Sequence, residues 1–341
     1  MTNTTTDLRR GVFASIADDV IDGESIRRLM FCYLTRGCAH YYSEEGGCTM
    51  CAFPLHALPD ANFTVDDLAA QLDRAVAETD WEGEGIQELD LFVSGSFFND
   101  DEMLPGARRH AYKTAGCLPG LKKLLVESRP EYITADRVAE ARELLDDRID
   151  LEVAIGLESV SEHVREGLIN KGYGPEEFEA SLKILASVPG VSVLVYVFLK
   201  PPGLGEAAAL DDAVETTRYV WERGKALGVD SVTAAVEPAF VQEGGPVHKP
   251  YLAGDYRPPW LWTIVELIRR VHGGGELQIG TADDYPPPIA IRHNCDACDA
   301  TVEAAIAHYN ATQDISALDG LDCACRARWI EETGIRPRSL E

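Results

Sequence analysis

Positive charge is scarce in this chain: 31 lysines and arginines stand against 57 aspartates and glutamates, a formal net charge of −26 over 341 residues. Such a surface repels phosphate, which argues against free-standing nucleic-acid binding unless a basic groove is locally concentrated. It suits solubility in a salty or crowded cytoplasm. No apolar run approaches the roughly 18 residues of a membrane-spanning helix, and no polybasic or lipid-anchor segment appears, so no membrane role is expected. The stretch MTNTTTDLRRGVFASIADDV has no basic start followed by an apolar core. No secretory signal is read there, and a cytoplasmic location is expected. Internal repeats and low-complexity segments are absent too. Apolar residues are not in deficit: at 45 % they suffice for a sizeable core and exclude wholesale disorder.

A further absence concerns ligands. Cys38, Cys48 and Cys51 lie in LTRGCAHYYSEEGGCTMCAFP, just after an apolar run. A closed tetrahedral zinc site or an ordinary iron–sulfur cluster fills all its protein positions, usually four. Three thiolates leave one metal position open for a substrate or cofactor. The nine cysteines of the chain are mostly grouped as C-x2-C or C-x-C, a pattern that favours metal ligation over disulfides where no secretory signal is read.

Apolar, β-rich runs alternate with helix-period stretches. Strands are expected at Arg27–Leu34, Ile86–Ser94, Lys122–Glu127, Leu151–Glu158, Val191–Leu199 and Asp230–Glu237. Near-continuous apolar strands suit a parallel sheet buried on both faces. Thr64 is expected to cap DDLAAQLDRAVAE, with Asp67 completing a short capping box. Thr134 starts ADRVAEARELL, Pro175 lies early in GPEEFEASLKILASV, and Gly228 stops LDDAVETTRYVWERGKALG. Six strand–helix units give an α/β fold, and right-handed crossovers curl it into a partial (β/α)6, TIM-like barrel. A flat doubly wound sheet is the competing topology. Residues 1–26 read as a lead-in, 27–240 as the core, and 241–341, where Gly and Pro accumulate around a helix WLWTIVELIRRV, as a cysteine-rich C-terminal extension.

In such barrels function gathers at the C-terminal ends of the strands. After the first strand come the three cysteines; after the second, Ser94, Gly95 and Ser96; after the third, Glu127 and Arg129. The fourth ends at Glu158, the fifth at Lys200 with Tyr196 upstream, and the sixth at Glu237. Singly, each could be a helix cap or an ion-pair partner. Together, around an open metal site, they point to function.

These residues resemble a known family. GGCTMCAF, with Cys38 before it, is similar to the cluster-binding motif of radical S-adenosylmethionine enzymes. SGSFFND, VESRPEYIT, AIGLES, INKGY, LKPPG and YRPPWLW, spread from about Arg27 to Trp262, resemble the branch that holds the Elp3-type catalytic domain and the radical enzymes of archaeosine biosynthesis. The resemblance implies that Cys38, Cys48 and Cys51 hold a [4Fe–4S] cluster whose fourth iron takes S-adenosylmethionine. An electron from a flavodoxin- or ferredoxin-type donor then yields methionine and a 5′-deoxyadenosyl radical that abstracts a substrate hydrogen, in an oxygen-sensitive enzyme. By position, Ser94, Gly95 and Ser96 would meet the methionine amino group, and Glu127, Arg129 and Glu158 its carboxylate or the ribose. Phe53 would lie by the adenine, and Tyr196 and Lys200, as the catalytic candidates, would face cofactor or substrate.

Two departures stand out: the first gap is C-x9-C, longer than in the archaeosine branch, and Ala52 replaces the usual glycine. That branch works with a transferase partner on a lysine-modified deazaguanine in tRNA. The alternatives are the same radical chemistry on a small metabolite of a natural-product or cofactor pathway and, against the strand-end array, a non-catalytic metal-binding partner protein.

A second cysteine group, Cys295 and Cys298 in HNCDAC and Cys323 and Cys325 in DCAC, offers four thiolates in two close pairs. Zinc is the first expectation and an auxiliary iron–sulfur cluster the second, with His293 able to replace one sulfur. Cys32 and Cys117 read as small packing residues, Cys117 in a loop. His40 is as readily a solvated loop histidine as a cluster neighbour. Trp260 and Trp262 are expected to pack the C-terminal helix, and the acidic runs to be solvated.

Overall fold

The computed structural model describes residues 7–21, 24–281 and 286–337. Strand order follows chain order from β1 to β8. The strands are β1 (Phe13–Ile21), β2 (Glu24–Tyr33), β3 (Ile86–Val93), β4 (Lys123–Glu127), β5 (Asp150–Glu158), β6 (Val191–Leu199), β7 (Val232–Pro238) and β8 (Glu276–Ile279). The helices are α1 (Val65–Ala77), α2 (Trp81–Glu84), α3 (Pro105–Cys117), α4 (Ala135–Leu144), α5 (Pro175–Ala186), α6 (Glu206–Leu227), α7 (His248–Ala253), α8 (Leu261–Val271), α9 (Asp299–Thr312) and α10 (Cys325–Thr333). Pairing is parallel from β2 to β5 and between β7 and β8, and antiparallel between β1 and β2. A doubly wound sheet reverses its order at a switch point. No reversal occurs here, so the topology is that of the expected partial (β/α) barrel with a cysteine-rich C-terminal region.

All six expected strands form within three residues of the expected ends, the largest difference being at the start of β2. Leu89, Leu91, Leu124, Val126, Val153 and Ile155 on one face and Leu125 and Ala154 on the other are buried, as strands covered on both faces require. Thr64 caps α1 through a reciprocal box: the Asp67 N–H donates to Thr64 Oγ1 at 3.1 Å and the Thr64 N–H to Asp67 Oδ2 at 3.0 Å. Gly228 ends α6 at φ 77°.

Seven strands and helices among the described residues lie outside the expectation: β1, β8, α2, α3, α7, α9 and α10. β1 is a partly exposed edge strand that contains an Asp-Asp pair, β8 has only four residues, and α3 buries mainly alanines. None of these three carries a strong apolar period. Cys117 corrects the sequence reading: it closes α3 and is exposed, so it is not a packing residue.

The chain divides into two compact units. The first comprises the residues up to Gly46, Phe53–Ile155 and Ala180–Val193; the second comprises Gly47–Ala52, Gly156–Glu179 and Leu194 onward.

Candidate functional site

In the first unit Cys38 follows β2 and is half-buried. Its surroundings are organised by Glu102, a residue the sequence reading does not single out. Glu102 is 4 % exposed. Its carboxylate accepts from the Ala39 N–H at 2.7 Å, from Asn99 Nδ2 at 2.8 Å, and from the Ser96 N–H. One side chain therefore ties the residue after Cys38 to the Ser94–Gly95–Ser96 loop at the end of β3. Burial pushes the Glu102 pKa up, against the pull of these N–H donors and of Arg129. Gly95 has no side chain for a steric reason: a Cβ there would meet the Glu102 carboxylate and come within 3.0 Å of Cys38 Cα.

The end of β4 joins the same assembly. The Arg129 N–H donates to Ser96 Oγ at 3.2 Å, and the Phe97 N–H to the Glu127 carbonyl at 2.8 Å. The Arg129 side chain pairs with Glu131 at 2.5 Å. Burial raises the Cys38 pKa, and the Arg129 charge pulls it back toward the thiolate. Phe53 opens a short 3-10 turn and is 46 % exposed. His40 is buried, not solvated, with its ring 3.9 Å from Glu45.

In the second unit the C-x2-C segment is tied to the stretch after β5. The Thr49 N–H donates to the Ile169 carbonyl at 2.8 Å and Thr49 Oγ1 to the Leu168 carbonyl at 2.6 Å. Asn170 Nδ2 donates to the Gly47 carbonyl at 2.8 Å. The AIGLES, INKGY and GGCTMC motifs thus meet in one place. Glu158, at the end of β5, pairs with Lys171 Nζ at 2.8 Å, both buried. Two strand-end residues are held in the left-handed region, Glu158 at φ 64° and Lys200 at φ 72°. That conformation is strained for residues with a Cβ and tends to mark functional positions.

Tyr196 is half-buried on β6. The Lys200 ammonium lies 2.5 Å from Glu206 Oε2 and 3.5 Å from the Pro258 carbonyl. Burial lowers its pKa against the opposing pull of Glu206. LKPPG and YRPPWLW are joined here. Tyr256 Oη donates to the Lys200 carbonyl at 2.9 Å, and Glu206 Oε1 accepts from the Trp260 N–H at 2.8 Å and from Thr263 Oγ1 at 2.6 Å.

The same segment runs into the second cysteine group. Sγ atoms of Cys295, Cys298, Cys323 and Cys325 all lie within 4.8 Å of one another. Neighbouring pairs are 3.6 Å (Cys295 and Cys298), 3.7 Å (Cys295 and Cys323) and 3.6 Å (Cys298 and Cys325) apart. Metal–sulfur bonds of about 2.3 Å in a tetrahedron set the sulfurs roughly 3.8 Å apart, so this spacing suits one metal ion. A cubane spreads its thiolates farther, over four separate irons. Trp262 Nε1 donates to Cys325 Sγ at 3.2 Å and Asn294 Nδ2 to Cys298 Sγ at 3.6 Å, contacts that orient and tune thiolate ligands. His293 lies instead 3.4 Å from Arg257, and the four sulfurs complete the set without it. Trp260 and Trp262 are buried, as expected.

No family model matches the chain. It is similar to archaeosine synthase subunit beta of Methanosarcina acetivorans, 30 % identical over 317 residues that cover 91 % of this chain and 86 % of that protein. It is also similar to archaeosine synthase subunit beta of Thermococcus kodakarensis, 29 % identical over 328 residues that cover 94 % and 96 %. Among solved structures it is similar to queuine lyase from Clostridium spiroforme bound to SAM and queuine, with TM-score 0.45, 17 % identity, and coverage of 65 % of this chain and 80 % of that one. Another is Elp3 from Methanocaldococcus infernus, with TM-score 0.44, 14 % identity, and coverage of 80 % and 60 %.

Proposed function

We propose a function on one premise: the chain belongs to the family of the archaeosine synthase beta subunit. It is a radical S-adenosylmethionine enzyme that acts in tRNA modification beside a partner subunit. The observation that carries this is the 30 % identity across 91 % of the chain, together with a three-thiol segment that the protein builds with care. Its cysteines are in no disulfide. Burial raises the Cys38 pKa and the Arg129 charge opposes it, while Lys171 interacts electrostatically with Cys48, so each site offers a cation to a bound thiolate ligand. Gly95 lets the Glu102 carboxylate and the Cys38 backbone approach the loop, which a Cβ would prevent. The donor set therefore fits an iron–sulfur cluster.

Cys38, Cys48 and Cys51 hold three irons of a [4Fe–4S] cluster and leave the fourth for S-adenosylmethionine. When bound, this pair supplies a 5′-deoxyadenosyl radical that takes a hydrogen atom from the substrate. The chain's own residues bind and orient. The Ser94–Gly95–Ser96 loop, held rigid by Glu102, receives the methionine amino group. Glu127, Arg129 and Glu158 receive its carboxylate and the ribose, and Phe53 covers the adenine. Tyr196 and Lys200 face the substrate side, with Lys200 held in place by Glu206.

The substrate is a lysine-modified deazaguanine in tRNA, cleaved at a C–N bond. A chain of net charge −26 leaves RNA binding to the partner subunit, which fits a two-subunit enzyme. At the C-terminal cysteines the metal is a single zinc, which staples residues 241–341 as an extension of the 27–240 core.

The test is anaerobic reconstitution with iron and sulfide, reduction, and assay of 5′-deoxyadenosine with S-adenosylmethionine. Wild-type protein is expected to form it, and Cys48→Ala to form none while keeping its fold. Adding the partner subunit and modified tRNA is expected to consume the tRNA base. Absence of 5′-deoxyadenosine from cluster-loaded wild type would sink the radical reading. Its presence with an unchanged tRNA base would sink only the substrate.

A further inference from the structure

Gly47 and Thr49 flank Cys48, and both are bonded to one short stretch, Leu168 to Asn170. That stretch ends a π-helical turn over His163–Ile169, which Asn170 closes at φ 60°. Widened turns of this kind gather at functional sites. The next residue, Lys171, is 9 % exposed. Its ammonium donates to Glu158 Oε1 at 2.8 Å and lies 5.7 Å from the Tyr173 ring centroid. Gly156 gives the pair room, since a Cβ there would fall 2.7 Å from Lys171 Nζ and against the Glu158 carboxylate. Cys48 is among the charges that act on Lys171. A left-handed glutamate, a required glycine and a buried ammonium are three local costs at one strand end, and all three serve to aim one cation.

We propose that Lys171 sets the reduction potential of the cluster site: its ammonium, aimed by Glu158, stabilises the cluster once an electron has entered. The inference rests on the reading of Cys38, Cys48 and Cys51 as cluster ligands. In this step one electron passes from an external flavodoxin- or ferredoxin-type donor to the cluster, and no bond forms or breaks. The added charge spreads over iron and sulfur, and net charge beside the sulfurs is one of the terms that set such potentials. A buried cation is little screened by salt.

The experiment compares wild type, Lys171→Gln, Lys171→Arg and Glu158→Gln. Each is reconstituted anaerobically without S-adenosylmethionine, assayed for iron and sulfide, and titrated by EPR, with Cys48→Ala identifying the signal of this cluster. Lys171→Gln is expected to keep its iron and shift the reduction equilibrium at least tenfold toward the oxidised form, about 59 mV for a one-electron couple. Lys171→Arg is expected to stay near wild type. Glu158→Gln removes the counter-charge and is expected to shift the other way.

An unchanged potential in iron-replete Lys171→Gln overturns the proposal. If that variant loses its iron, Glu158→Gln decides: a potential above wild type supports the proposal, and one at or below it overturns it. A wild-type chain that takes up no iron at the three cysteines sinks the ligand reading and this inference together, which is a different result from a cluster indifferent to Lys171.

Discussion

Around the C-terminal thiols the neighbours are other thiols: four sulfurs within 4.8 Å, bonded by the indole of Trp262 and the amide of Asn294. Around Cys38 and Cys48 the neighbours are different in kind. Cys38 is flanked by a loop that Glu102 holds through backbone N–H groups, and Cys48 by a segment anchored to Leu168, Ile169 and Asn170. A closed site gains its order from the metal. On the proposed function the site at Cys38 and Cys48 is open and would have to be ordered by the protein, because the bond to the last ligand would be reserved for chemistry. The difference teaches where each region keeps its folding energy.

Metal removal probes that contrast with the largest expected effect. Structural zinc contributes on the order of 10 kcal/mol to the folding of small metal domains. Cys298→Ala is therefore expected to lose the C-terminal metal and to lower the thermal midpoint sharply, with Trp262 and Trp329 fluorescence moving toward that of exposed indole. Cys48→Ala is expected to leave the midpoint within a few degrees of wild type. Elemental analysis and melting curves check both, and equal losses of stability would erase the distinction.

Glu102→Gln sharpens the comparison from the other side. A glutamine places an NH2 against an N–H that the carboxylate now accepts, and hydrogen bonds to a charged group are worth about 1.5–3 kcal/mol each. A loss of about 3 kcal/mol by denaturant titration is expected, with reduced iron at the N-terminal cysteines and full metal at the C-terminal four. Loss of both metals would show that Glu102 supports the whole fold and not the loop.

Asp212 carries an effect of comparable size at most, opposite in sign and dependent on pH. It is 9 % exposed, accepts from Ser159 Oγ at 2.7 Å beside Glu158, and burial raises its pKa from 3.8 to about 6, with Glu215 adding to the shift. Between those values the folded state binds more protons than the unfolded one. Its contribution therefore falls as pH rises from about 4 to 6 and stays low above that. Asp212→Asn keeps an acceptor for Ser159 and removes the charge. It is expected to match wild type near pH 4 and exceed it at pH 7, by up to about 3 kcal/mol for two pKa units. Denaturant melts at both pH values check it, and a variant less stable than wild type at pH 7 would show that the ionised form is the one the fold uses.

Much of this was legible in the chain. The strands announced themselves because apolar runs such as VSVLVYVFL tolerate no other environment, and Thr64, Thr134 and Gly228 punctuate helices through contacts within a few residues. The paired spacings of Cys295, Cys298, Cys323 and Cys325 were enough to suggest a metal site. Glu102 was not legible, because its donors are the backbone N–H groups of Ala39 and Ser96 and the side-chain amide of Asn99, and nothing in an acidic run distinguishes a buried carboxylate from a solvated one. Lys171 was visible only as a letter in INKGY.

The sequence by itself determined the strand–helix alternation, the ligand types and their local spacing, because these depend on side-chain chemistry and on neighbours a few residues away. Tertiary structure alone decided that Glu102 joins the Cys38 loop to the end of β3, that Glu158 and Lys200 turn left-handed, and that Lys171 bears on Cys48. The Glu102–Ala39 and Asn170–Gly47 bonds that order these loops join residues 63 and 123 positions apart, and only closure of the fold brings such partners within hydrogen-bonding distance.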